Sequence, residues 1–134
     1  MKHPPLGLLK GIFERYPGIQ AVYLFGSSAS GRTHAESDLD LAVLVDDASL
    51  RSRKLDMLAE LAEKGFCDVD LVFLPVDDVV LQHEAVRLNR TVYQRPDFDG
   101  PSAYSRFLRR YLDFLPYLKV QREAYKRRTL DGQA

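Results

Sequence analysis

A short apolar run, Ala21–Phe25, ends in Gly26-Ser27, and ten residues later Asp38-Leu39-Asp40 opens a second apolar run that reaches Val45. Two such runs of strand length require a sheet covered on both faces. Glycine and serine at a strand exit permit a tight turn whose backbone N–H groups can face a phosphate. Asp38 and Asp40, one residue apart on a strand, point to one face. Their hard carboxylate oxygens can there hold the same magnesium ions, while Leu39 and Leu41 point into packing on the other.

The rest of the chain supplies the cover. Leu8, Leu9, Ile12, Phe13 and Tyr16 are spaced as one helical face, predicting a helix over residues 6–16 that Pro17-Gly18 stops. Strands are predicted at Gln20–Phe25, Ser37–Val45 and Phe66–Leu74, with a short helix at Ser27–Ser30. A helix over Leu50–Lys64 would bury Leu55, Leu58, Ala59 and Ala62 and stop at Gly65. A helix at Val79–Leu88 and an extended piece at Thr91–Gln94 follow. Beyond a joint at Arg95–Pro101, a long helical pattern runs from Ser102 to Arg128 with Phe107, Tyr111, Leu115 and Leu118 in its main stripe. Pro116 is expected to kink or split it. This order predicts a small α/β (α+β) fold with a mixed sheet of three to four strands flanked by helices. The core is placed at residues 1–95 and a C-terminal helical extension at 96–134.

Charge sharpens the division. The chain is neutral overall, with 19 Lys/Arg against 19 Asp/Glu, so nothing global suggests coating a nucleic acid, and direct nucleic-acid binding is not expected. Residues 1–100 carry 11 Lys/Arg against 16 Asp/Glu, and residues 101–134 carry 8 against 3. A basic tail of this kind suits an acidic partner, RNA or the acidic body itself. The single cysteine, Cys67, is expected to be a small buried residue inside the third strand. No apolar run approaches the roughly 20 residues that cross a bilayer, and a cytoplasmic location is expected. There is no Cys/His cluster, and no lysine follows Gly26-Ser27 in the P-loop manner, which excludes P-loop chemistry.

Gly26-Ser27, the ten-residue spacer and Asp38-x-Asp40 resemble the signature of the DNA polymerase β-like nucleotidyltransferase superfamily. The short length and Ser37–Val43 look most like its minimal nucleotidyltransferases (MNT), many of which are antitoxins encoded beside HEPN-domain toxins. The resemblance covers residues 20–75 and implies the nucleotidyltransferase fold, two Mg2+ ions and ATP as substrate. It implies phosphate contacts at Gly26 and Ser27 and metal ligands at Asp38 and Asp40, with a third carboxylate on a neighbouring strand. Alternation puts Asp68 and Asp70 on one face, so geometry leaves both open. The family's carboxylate stands directly before an apolar pair, which selects Asp70 ahead of Leu71-Val72. Arg32 either steadies the triphosphate or covers its loop.

About 35 residues follow the joint, too few for the second, acceptor-gripping domain of larger relatives. The resemblance therefore implies AMP transfer to a tyrosine of a cognate HEPN ribonuclease toxin, which silences it. A binding-only antitoxin with a vestigial site is one alternative. A small-molecule adenylyltransferase with a separate acceptor-binding subunit is the other. For the tail, packing on its own sheet stands beside docking of the partner through Arg122, Lys126, Arg127 and Arg128.

Overall fold

The computed structural model describes residues 4–25, 39–74 and 79–130. Along the chain come α1 (Leu8–Phe13), β1 (Ile19–Leu24), β2 (Leu39–Val45), a 3-10 segment (Ala48–Arg53) and α2 (Lys54–Glu63). Then follow β3 (Val69–Leu74), α3 (Val79–Val86), β4 (Arg90–Gln94) and α4 (Gly100–Leu130). The strands form one mixed sheet in the order β3-β2-β1-β4. β1 is antiparallel to both β2 and β4, and β2 is parallel to β3. The short helix expected at Ser27–Ser30 lies outside the described residues.

Burial on both faces explains why β1 and β2 are almost wholly apolar. Val22, Leu24, Leu41, Val43, Leu71 and Phe73 face one core, closed by Leu9, Ile12 and Phe13 of α1 and by Met57 and Leu61 of α2. Ala21, Tyr23, Ala42, Leu44 and Leu74 face the other, closed by Ala85 and Val86 of α3 and by Ala103 and Phe107 of α4. Each fully buried large side chain contributes about 1.5–3 kcal/mol, so the central strands hold the fold from both sides. Among the described residues, no helix is long and apolar enough to cross a membrane.

Three expectations need correction. In α2 the buried residues are Met57 and Leu61, whereas Leu55 is 78% exposed and Ala59 and Ala62 also face solvent. Both faces of this helix are apolar enough to compete, and the one with the larger side chains removes more surface from water. Cys67 is exposed and precedes β3. Phe66 takes the buried position instead, because Gly65 ends α2 in the left-handed region at φ 97°. The Gly65 amide donates to Ala62 O and the Phe66 amide to Leu61 O, a Schellman closure that turns Phe66 inward.

The third correction concerns α4, which is not split but runs unbroken through Pro116. Proline removes the bond that Leu112 O would accept, and both Leu112 and Pro116 are exposed, so water can take its place. Packing of α4 on its own domain is real at Phe107, which is 1% exposed, and at Tyr111, whose ring stacks on His83 at 3.8 Å. It does not reach the tail, where every residue from 119 to 128 is exposed.

Candidate active site

Three strands end together at one edge of the sheet. The amide of Phe25, directly after β1, donates to the carbonyl of Asp40 at 3.1 Å. Asp40 in turn pairs with Asp70 in the parallel register of β2 and β3. Paired residues of neighbouring strands lie about 4.8 Å apart and point to the same face. Asp40 and Asp70 thus stand side by side, above Ala42 and Leu44 on β2 and Val72 and Leu74 on β3, which belong to the second core. Asp40 is half-buried and Asp70 exposed. Hydrophobic rows beneath fix the two backbones, and the carboxylates sit where solvent and substrate can reach.

Adjacent like charges across two strands are unfavourable, and a shared divalent cation removes that penalty. Hard oxygen donors on two rigid strands fit magnesium. Among the described residues, no three His, Cys, Asp or Glu side chains converge as a metal site. Asp38, Gly26, Ser27 and Arg32 lie outside the described residues. Asp70 is opposite Asp40, whereas Asp68 precedes β3 and uses its backbone carbonyl to accept from the Leu39 amide at 2.8 Å.

Two further side chains share this face. Phe25 packs part-buried against the second core and fixes the point at which the chain enters Gly26-Ser27. Tyr23, paired with Ala42, is 2% exposed. Burial pushes its hydroxyl up to about 12, against a smaller downward pull from the Arg106 guanidinium on α4. It therefore stays protonated at neutral pH and cannot serve as a proton acceptor. Both residues read simply as apolar strand in the sequence. Only the pairing of β1 with β2 brings them to the carboxylates, and nothing local encodes that pairing.

The chain and its fold have known counterparts. Over 86 residues the chain is 33% identical to the protein adenylyltransferase MntA of Shewanella oneidensis, a match covering 64% of this chain and 62% of that protein. The chain thus spans under two thirds of that relative's length. The crystal structure of a mutant MntA–HpeT toxin–antitoxin superposes with a TM-score of 0.72, covering 95% of this chain and 99% of that one. At 23% identity the likeness is one of fold. The crystal structure of a toxin–antitoxin with AMP-PNP gives a TM-score of 0.68 at 26% identity, covering 92% and 96%. Residues 8–98 match the family described as polymerase beta, nucleotidyltransferase. That span runs from α1 to just before α4 and contains the whole sheet with both in-register carboxylates, and the chain belongs to this nucleotidyltransferase family.

Proposed function

We propose that this chain is a magnesium-dependent protein adenylyltransferase of the antitoxin kind. It moves AMP from ATP to a tyrosine hydroxyl of a cognate HEPN-type ribonuclease toxin and so silences it. The observation that carries the reading is the Asp40–Asp70 pair, in register on one face, beside the strand end that leads into Gly26-Ser27. Support comes from the kinship with a protein adenylyltransferase and from the fold shared with a toxin–antitoxin that was crystallised with AMP-PNP.

In this proposal the backbone N–H groups at Gly26-Ser27 take the triphosphate, with Arg32 as a second anionic contact. Asp38, Asp40 and Asp70 hold two Mg2+ ions. Magnesium held there would neutralise the triphosphate's charge and so favour in-line displacement. The acceptor oxygen forms a bond to the α-phosphorus as the bond to the bridging oxygen breaks, and pyrophosphate leaves. Asp70, the more exposed of the two register partners, receives the hydroxyl proton. Residues 1–95 form the catalytic core in this reading and 96–134 its helical extension, acting in the cytoplasm.

The test is intact-mass spectrometry of the co-encoded helical protein after incubation with this chain, ATP and magnesium. The expected result is a partner carrying AMP on tyrosine, with its ribonuclease activity lost. A partner silenced without any mass change would replace this reading with the binding-only one.

A further inference from the structure

We propose that a cleft between the α3–β4 turn and the first turns of α4 takes the nucleoside of ATP and sets a preference for adenine. This rests on the reading of the chain as an adenylyltransferase, in which Gly26-Ser27 and the carboxylates hold phosphates and metal and leave the nucleoside unplaced. The cleft measures about 380 Å3 and is lined by Arg87, Asn89, Pro101, Tyr104 and Ser105. That is the lower end of the range for small-molecule sites, which suits a nucleoside and not a whole nucleoside triphosphate. Three of the five residues come from α4, beyond the residues 8–98 that match the nucleotidyltransferase family, so the matched core alone does not form it.

Strand order brings the cleft beside the site. Arg90, the first residue of β4, pairs with Leu24 at the end of β1, and Leu24-Phe25 leads straight into Gly26-Ser27. Asn89 thus stands one strand to one side of the β1 exit. Asp40, whose carbonyl accepts from the Phe25 amide, stands one strand to the other. Two strand spacings are about 10 Å, a gap that ribose and base span when the α-phosphate lies between. Cleft and carboxylates also share one side of the sheet. Tyr104 packs against the second core, and Asp40 and Asp70 stand on the same face as its Ala42 and Leu74.

The lining suits a nucleoside group by group. Pro101 and Tyr104, three residues apart on α4, offer an apolar wall on which a base can stack. Asn89, at φ 51°, is in the left-handed region, where the described residues hold no other residue but glycine. Its amide donates to Val86 O at 2.8 Å and closes α3. Glycine makes that closure at less cost. Asparagine makes it while giving the cleft a carboxamide, a donor and an acceptor side by side. A carboxamide can pair with the amino group and neighbouring ring nitrogen of adenine, where guanine presents two acceptors. Ser105 and Arg87 supply the polar rim for the ribose hydroxyls. Arg87 gives Glu84 one N–H at 3.2 Å and keeps further donors.

Calorimetric titration of the full chain, in magnesium, with ATP, GTP and inorganic tripolyphosphate tests this. The wild type should prefer ATP to GTP by about tenfold or more, and Asn89→Gly, which keeps the left-handed turn, should bring the two within about threefold. Ser105→Trp, which fills the cleft from an exposed position, should weaken both nucleotides by about tenfold or more, with folding checked by circular dichroism. Neither substitution should change tripolyphosphate binding beyond about threefold, since the cleft holds no phosphate in this account. ATP binding that neither substitution weakens would overturn the proposal while leaving the adenylyltransferase reading in place. So would a wild type indifferent between ATP and GTP, or variants that lose ATP and tripolyphosphate equally. A wild type that binds neither ATP nor tripolyphosphate would refute the adenylyltransferase reading as well.

Discussion

Tyr23 lies in the second core, one strand pair from the carboxylates, and replacing it with phenylalanine isolates the cost of its buried hydroxyl. Its folded-state pKa is about 12 against an ordinary 10.0. Below pH 10 both folded and unfolded chains keep the proton, and the group gives no pH dependence. Between pH 10 and 12 the unfolded chain ionises while the folded one does not, so stability falls as pH rises through this window. Each pH unit costs about 1.4 kcal/mol, and the full two-unit gap about 2.7 kcal/mol. Urea unfolding of wild type and Tyr23→Phe at pH 9, 10 and 11 reads this directly. The wild type should lose about 1.3 kcal/mol relative to the variant between pH 9 and 11. Tyr16, whose pKa is also raised by burial and by its bond to Glu60, is present in both proteins and cancels. Parallel curves would mean that the Tyr23 hydroxyl reaches solvent and that α4 does not close this core.

Phe107→Ala should destabilise the fold by about 4 kcal/mol in denaturant unfolding, because this ring, 1% exposed, anchors α4 to the sheet; a loss below about 1 kcal/mol would detach α4 from the core. Arg95 joins three segments, donating to Pro17 O at 2.8 Å and to Asp46 at 2.9 Å as well as to Asp97. Arg95→Ala should cost about 1–2 kcal/mol, most of it retained at high salt since a backbone carbonyl is among the acceptors. Calorimetric titration should find ATP bound at least tenfold more weakly without magnesium, because carboxylates repel a bare triphosphate; equal affinities would move the nucleotide elsewhere.

Several elements were legible because one physical cause dominated. The doubly apolar β1 and β2 could only be central strands, and Gly65 could only be a helix stop once its φ of 97° was required. The Asp68–Asp70 ambiguity was not legible, since alternation within a strand cannot say which residue faces a neighbouring strand. The β2–β3 register, a long-range property, sets Asp70 opposite Asp40. The α2 face was misjudged because Leu55, Ala59 and Ala62 compete at helical spacing with Met57, Leu58 and Leu61, and the sheet took the set with three large side chains. That same competition leaves an apolar stripe on the surface. Of the two outcomes expected at Pro116, a kink or a split, the split does not occur, and Leu112, whose carbonyl loses its intrahelical donor, is exposed. Cys67 was misplaced because Phe66, one residue earlier, fills the buried position.

The central claim is that the register partners Asp40 and Asp70 form the reacting site, and AMP transfer by single carboxylate variants tests it most directly. Asp40→Asn, Asp70→Asn and Asp68→Asn would each be incubated with ATP, magnesium and the cognate partner, and the AMP-carrying fraction followed by mass spectrometry. Asp40→Asn and Asp70→Asn should lower the rate by about a hundredfold or more while unfolding like the wild type. Asp68→Asn, which keeps the backbone carbonyl that holds Leu39, should remain within about threefold. Full transfer by Asp70→Asn, or loss confined to Asp68→Asn, would contradict the account.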